Sequence, residues 1–347
     1  MKTMLGAVVV GADHEARRLE LRELPMPEIA RPDDVLMRIE ACGICGSDVA
    51  ILAGLHPVVL DTVIGHEFVG RVEAVGAAVT HVRPGDRVAV APNLSCGVCP
   101  YCRLGMTNHC LNWTCLGVHR NGGFAEYTVA PASAVLPLSE GLPLEEAVFI
   151  EPLSCVYAGT SKIKIQPGET AVVLGAGPIG LIFIKIFRAS GAGKIIVSDV
   201  APLRLKYARQ AGADITVNPT EHDLAQVVQA ETGIGAPVVV DAVGSLAQEA
   251  TNLAAKQGRI CLFGVNSAAR PVLEQWLITH NELDIFGTFV GVNMFPPAIR
   301  MLESGVISLS DLLSHRLPLK DIHRGFEAIR AGEAIKIMIT PNTLQGG

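Results

Sequence analysis

The sequence predicts an α/β chain in two parts, a β-rich part and a doubly wound parallel sheet. Three observations predict it. Up to about residue 150, short apolar runs alternate with Pro- and Gly-rich turns such as RPGDRV (83–88), a pattern of strands and tight turns. From Thr170 the text changes to strand, Gly-rich turn, apolar helix, turn and strand, in TAVVLGAGPIGLIFIKIFRASGAGKIIVSDV (170–200). After about residue 295, amphipathic helices return and end in the short apolar run IKIMI (335–339).

At 347 residues the chain is long enough for two cores, and 18% charged residues with 35 glycines describe a packed globular protein. A net charge of −6 without a Lys/Arg cluster gives no footprint for nucleic acid. The opening MKTMLGAVVVGADHEARR has a short, Gly-containing apolar run that breaks at Asp13–His14–Glu15, so it reads as a first strand and turn, not a leader peptide. No run reaches the ~18 apolar residues of a membrane span. A cytoplasmic chain is expected, in which disulfides are not.

The first chemical residues stand in CGICGSD (42–48) and GHEFVGRVEAVGAAV (65–79). Cys45, His66 and Glu67 offer one sulfur, one nitrogen and one oxygen. Three or fewer firm protein ligands leave an exchangeable position, which a catalytic zinc needs. Glu151, in FIEPLS (149–154), follows two apolar residues and is expected at a buried edge beside this set. Ser47 stands two positions past Cys45, placed to take a proton or to cap a helix.

Four cysteines then fall within fifteen residues, CGVCPYCRLGMTNHC (96–110). In a reducing compartment Cys96, Cys99, Cys102 and Cys110 read as a tetrahedral thiolate site for zinc. Four thiolates close the coordination sphere, so such a site contributes folding energy and no chemistry. The lobe 93–112 is expected to be structural.

In the second part, Gly175, Gly177 and Gly180 give G-x-G-x-x-G after a β-branched strand, with Pro178 and Ile179 opening the helix. Asp199 closes the next strand. In this setting the glycines allow the tight turn, the approach of a pyrophosphate and the packing of helix on strand; the acidic residue binds ribose hydroxyls and disfavours a 2′-phosphate. NAD is expected ahead of NADP. Further strands are predicted at 215–219, 238–244, 258–265 and 282–290, with helices at 221–233 and 246–256. Their carboxyl ends place Val243, Gly244, Phe263, Gly264, Val265, Thr288 and Phe289 near the cofactor.

GHEFVGRVEAVG, GDRV, the four-cysteine lobe, GGFAEY (122–127) and GAGPIG (175–180) occur in an order that resembles the zinc-containing medium-chain dehydrogenase/reductase family over nearly the whole chain. IEPLS and HRLPL…GFEAI…IKIMI resemble its sorbitol (polyol) dehydrogenase branch, with threonine dehydrogenase as a near relative. The resemblance implies a GroES-like catalytic domain from 1–155 and 295–347 and a Rossmann NAD-binding domain at 156–294. It implies two zinc ions per chain, the catalytic one held by Cys45 and His66 with Glu67 and Glu151 as direct, alternating or water-mediated partners. Arg204 joins Asp199 at the adenosine ribose, and a homo-oligomer is expected, a tetramer ahead of a dimer.

Two departures from the branch stand out. Val290 and Gly291 stand where it carries an Arg–Tyr pair, and Ala50 stands where CGSDVH is common in the family. The expected activity is NAD-dependent oxidation of a secondary alcohol of a polyol, cyclitol or sugar-like molecule to a ketone, without nucleic-acid or membrane partners. The alternatives are a threonine dehydrogenase-like or other secondary-alcohol enzyme and, further off, a non-catalytic NAD-binding protein. Zinc-free NADPH-dependent reductases of the superfamily are opposed by Cys45, His66, the lobe and Asp199.

Overall fold

The computed structural model describes residues 2–12 and 15–341, so Asp13 and His14 lie outside the described residues. The chain divides into two compact units. One comprises Met1–Pro152, Phe295–Gly305 and Leu313–Gly347; the other comprises Leu153–Met294 and Val306–Leu312.

The first unit begins with β1 (Thr3–Val10) and β2 (Arg18–Pro25), an antiparallel pair. Then come β3 (Asp34–Gly43), α1 (Gly46–Leu52), β4 (Glu67–Val75), β5 (Arg87–Val90), β6 (Asn93–Leu94), α2 (Pro100–Arg103), β7 (Thr114–Cys115), β8 (Tyr127–Pro131), β9 (Val135–Pro137) and α3 (Leu144–Ala147). Helix α4 (Ile150–Ile163) leads into the second unit, which carries β10 (Thr170–Leu174), α5 (Pro178–Ala189), β11 (Lys194–Ser198), α6 (Pro202–Ala211), β12 (Ile215–Val217), α7 (Leu224–Thr232), β13 (Ala236–Asp241), α8 (Ala247–Leu253), β14 (Ala254–Leu262), α9 (Gln275–His280) and β15 (Asp284–Gly287). The chain then supplies α10 (Phe295–Glu303), β16 (Leu313–Pro318), α11 (Ile322–Arg330) and β17 (Lys336–Thr340).

The main sheet of the first unit runs β16-β17-β3-β4-β5-β9, with β8 also on β3. Strand β3 explains its centrality by composition. DVLMRIEACG buries all but Arg38 and Glu40, and β-branched and large apolar side chains suit a strand covered on both faces. The last strand, β17, is buried at every residue and joins β3 through Ile339↔Cys42 and Met338↔Gly43. The two ends of the chain therefore build one sheet.

The second unit is a parallel sheet in the order β12-β11-β10-β13-β14-β15. The apolar runs of β10, β11 and β13 are buried because helices cover both faces of such a sheet. Strand order reverses between β10 and β13, and ligands bind in the crevice at the carboxyl ends of the strands beside that switch. Within this unit, Lys185 of α5 donates to Asp311 of the Val306–Leu312 segment at 2.6 Å.

Several predicted elements are shorter than expected, for local reasons. The strand expected at 238–244 ends at Asp241, whose Oδ1 accepts the N–H groups of Val243 and Gly244 at 2.9 and 2.8 Å and turns the chain. Helix α7 starts late because Asp223 caps it, its side chain accepting from the N–H groups of Ala225 and Gln226. The strand at 282–290 ends at Gly287, and Val290 lies at φ 46°, a left-handed conformation strained for a β-branched residue.

The turn after β10 depends on glycine at two points. Gly175 has φ 94°, and a Cβ on Gly180 would stand 1.9 Å from the Gly175 carbonyl oxygen. Gly180→Ala must therefore push α5 off the turn. The expected outcome is a loss of about 1–3 kcal/mol in urea unfolding together with weaker dinucleotide binding; an unchanged midpoint would refute the close helix–turn packing.

Candidate metal centre and dinucleotide cleft

Ligand atoms of Cys45, His66 and Glu67 lie within 4.8 Å of one another. Short helix α1 positions the sulfur: Cys45 is its N-cap, and the Asp48 carboxylate accepts the Cys45 N–H at 2.8 Å. The capping role open to Ser47 thus belongs to Asp48. Ser47 Oγ instead stands 3.3 Å from His66 Nε2. His66 and Glu67 lie where the chain enters β4, both buried, so their direction is set by the sheet.

Asp48 does a second job. It is fully buried and its Oδ1 lies 3.5 Å from His66 Nδ1. A carboxylate on one ring nitrogen orients the other toward a metal and raises its basicity. Burial opposes a charge on this ring, but Asp48 and the Cys45 sulfur outweigh it and push its proton affinity well above the ordinary imidazole value. The field that draws a proton also draws a divalent cation. The donor set therefore fits zinc: soft sulfur, borderline nitrogen, and one carboxylate.

Glu151 lies in the first turn of α4 and is buried, not solvated. It stands outside the three-residue set, close enough for its charge to act on Cys115 and Lys336. Lys336, from β17, was not singled out by sequence. It is 1% exposed, its Nζ donates to a Glu67 carboxylate oxygen and to the Ile44 carbonyl at 3.3 Å, and it lies 5.9 Å from the Phe149 ring centre. Burial disfavours its charge, yet Glu67 and Cys45 hold its proton affinity above the usual lysine value.

The four cysteines of the lobe also converge, with Cys96, Cys99, Cys102 and Cys110 within 4.8 Å of one another. Sulfur pairs Cys99–Cys102 and Cys96–Cys110 are 3.5 Å apart, far beyond a disulfide bond. A tetrahedron with Zn–S bonds of about 2.3 Å has sulfur–sulfur edges of roughly 3.8 Å, so the arrangement fits a zinc ion. Backbone hydrogen bonds at Val98 and Cys99 lower the Cys96 thiol to about 6, favouring the thiolate that a metal binds.

In the second unit the dinucleotide signals meet at the switch point. Gly177 is the N-cap of α5 with Pro178 in its first turn, and a Cβ on Gly177 would meet nothing within 4 Å. That open space before a helix N-terminus fits a pyrophosphate. Asp199 is held by the N–H groups of Ala176 (2.8 Å) and Ala201 (2.9 Å), with Arg204 3.6 Å from its carboxylate. Gly244 and Gly264, after β13 and β14, pack so closely that a side chain on either would collide. Val243, Phe263 and Val265 flank them, and Thr288 and Phe289 follow β15. Sequence reasoning missed a separate cleft of about 730 Å³, lined by Pro219, His222, Ser245, Leu246 and Glu249 at the starts of α7 and α8 and by none of the dinucleotide residues named above. Its only sequence signal was the turn NPTEHD after β12.

Residues 31–140 match the family model described as alcohol dehydrogenase GroES-like domain, and 178–304 match zinc-binding dehydrogenase. A sorbitol dehydrogenase of Bacillus subtilis is 33% identical over 95% of this chain and 96% of its own. The chain belongs to the zinc-dependent alcohol and polyol dehydrogenase family. Two solved structures cover 98% of it and 100% of themselves: a zinc-binding dehydrogenase of Sinorhizobium meliloti bound to NADP (TM-score 0.91, 32% identity) and an Escherichia coli CFT073 alcohol dehydrogenase with NADH (0.90, 33%). The GroES-like part and the Rossmann-like sheet of this dehydrogenase are as the sequence led one to expect.

Removing one partner of a buried ion pair strands the other charge. Lys336→Met is expected to cost this dehydrogenase about 3–5 kcal/mol in urea unfolding, and a second change, Glu67→Gln, to restore more than half of it. If Lys336→Met were as stable as the parent, some other group would have to neutralise Glu67.

Proposed function

We propose that this dehydrogenase oxidises a secondary alcohol of a polyol, cyclitol or sugar-like substrate to the ketone, with NAD as hydride acceptor. The observation that carries the reading is the open sulfur–nitrogen–oxygen set of Cys45, His66 and Glu67, with the Ser47 hydroxyl 3.3 Å from the histidine ring. Cys45 and His66 would hold a zinc ion, with Glu67 shared with Lys336 and Glu151 acting through water. When bound, zinc supplies Lewis acidity that lets an alcohol lose its proton near neutral pH. Ser47 takes that proton, and Asp48 at Nδ1 keeps the His66 ring turned so that Nε2 faces the site. The second unit holds the dinucleotide: the α5 N-terminus takes the pyrophosphate, Asp199 and Arg204 the adenosine ribose, and the backbone at Val243–Gly244, Phe263–Val265 and Thr288–Phe289 the remainder. The lobe at 93–112 holds a second zinc that keeps its loop in shape.

A cytoplasmic homo-oligomer, a tetramer ahead of a dimer, completes the proposal. Edge strand β15 supports assembly: it has β14 on one side only among the described residues, and Val272 and Trp276 nearby are each 69% exposed. Light scattering of the purified protein measures the state.

The deciding experiment pairs metal analysis with NAD reduction on a panel of polyols, simple secondary alcohols and L-threonine. Two zinc ions per chain and turnover of polyols are expected; a metal-free protein or one inert with every alcohol would overturn the reading. His66→Ala is expected to bind NAD normally and lose turnover by orders of magnitude. Cys102→Ser is expected to lose one zinc and stability, while any folded remainder keeps turnover. For Asp199→Ala the NAD preference over NADP should shrink about tenfold or more, since a charge-assisted hydrogen bond is worth about 1.5–3 kcal/mol. A parent enzyme preferring NADP would contradict the role given to Asp199.

A further inference from the structure

We infer that His119 and His56 form a hydroxyl-reading pair beside the metal centre, binding hydroxyl groups of the substrate other than the one oxidised. The inference rests on the proposed alcohol oxidation and names how its substrate is recognised.

Each ring has its tautomer set by the backbone. The Cys115 N–H donates to His119 Nδ1 at 3.1 Å, so that nitrogen is the acceptor and the ring proton sits on Nε2. Burial, and then the neighbouring His56, lower the proton affinity of His119, which keeps the ring neutral. At His56 the geometry is the reverse: Nδ1 lies 3.0 Å from the Pro57 carbonyl oxygen, which only accepts, so Nδ1 carries the proton and Nε2 the lone pair. Among the described residues neither Nε2 has a protein partner. The pair thus presents one donor and one acceptor, the two capacities of a hydroxyl group.

Both rings are held in place. Trp113 meets His119 edge-on, ring centres 5.3 Å apart at 82°. The buried Arg17 donates through Nη1 to the His56 carbonyl at 2.7 Å and to that of Ile51 at 3.1 Å. Their loops are joined by the Val59 N–H on the Val118 carbonyl at 2.9 Å. The same loop borders the metal centre. A Cβ on Gly117 would stand 2.4 Å from the carbonyl oxygen of Gly65, the residue before His66. Cys115, where the loop begins, lies within electrostatic reach of His66, Glu151, Asp48 and Cys45. With one donor and one acceptor, this pair has the chemistry for hydroxyl recognition. A simple alcohol has no second hydroxyl to offer, so the pair distinguishes polyols from monoalcohols.

Asparagine separates recognition from support. His119→Asn puts a carbonyl oxygen where Nδ1 accepts from Cys115, and His56→Asn puts an amide N–H where Nδ1 donates to Pro57; both remove Nε2. The test compares kcat/KM for xylitol, D-sorbitol and meso-erythritol with that for 2-butanol, alongside zinc content. Each variant should lose about 3- to 10-fold on the polyols, as for a neutral hydrogen bond, hold 2-butanol within twofold, and retain both zinc ions. Equal losses on all four alcohols, or none on the polyols, would overturn the inference, as would a parent enzyme that takes only 2-butanol. His56→Asn, on the half-buried outer loop, keeps the test alive if His119→Asn fails to fold. A parent inert with every alcohol would instead sink the oxidation itself, and the pair's role with it.

Discussion

The metal centre depends on one buried ion pair, Lys336 with Glu67, whose partners are 269 positions apart. Taking both charges out of water costs several kcal/mol each, and only close pairing with further hydrogen bonds offsets it. Strand β17 must therefore lie on β3 before Glu67 can be a stable carboxylate. The pair also constrains its neighbours. A Cβ on Gly43 would stand 2.9 Å from Lys336 Cε, so the glycine of CGIC leaves the room that the lysine fills. The Ile44 carbonyl, next along, is Lys336's second acceptor. One constraint thus ties the first ligand loop, the start of β4 and the end of the chain.

The two cysteine-bearing sites differ because their surroundings differ. The lobe gathers four sulfurs on short turns; backbone N–H groups lower the Cys96 and Cys99 thiols, while burial and then the neighbouring thiols raise Cys102. Its neighbours include exposed Val98, Leu104 and Leu111, so without a metal the lobe has little apolar core of its own. The open site has one sulfur, and its charge is balanced by protein: Asp48 behind His66, Lys336 behind Glu67. A closed sphere replaces packing, whereas an open one needs packing and second-layer charge to keep its shape.

What was legible in the sequence follows from this. GAGPIG could be read because its requirements are local: a left-handed Gly175, space above Gly177 and contact at Gly180. The four cysteines could be read because they are close in sequence. Cys45, His66 and Glu67 could be paired only by residue type, and the fold then brought them together. Asp48 escaped notice because an acidic residue after Ser47 looks like any helix start. Lys336 escaped because nothing in IKIMI distinguishes a lysine at a strand end from one that is wholly buried. Strand ends were overextended where side chains such as Asp241 turn the backbone early.

Helix α1 and its N-cap concentrate much of the proposed chemistry. Its N-cap Cys45 gives the sulfur, Ser47 in its first turn gives the hydroxyl, and Asp48 in that turn both caps the helix and orients His66. Ala50 is three residues past Ser47, so the two lie on the same face. An imidazole there would sit one helical turn along from the hydroxyl and receive its proton. Alanine offers only a methyl group, half-buried, and leaves volume where that ring would be. His56 is assigned to the substrate instead: its loop is held by Arg17 and its Nδ1 by the Pro57 carbonyl, which leaves Nε2 for a substrate hydroxyl. In the proposed reaction the proton leaves Ser47 through ordered water, and the histidine that could have relayed it is free to bind substrate.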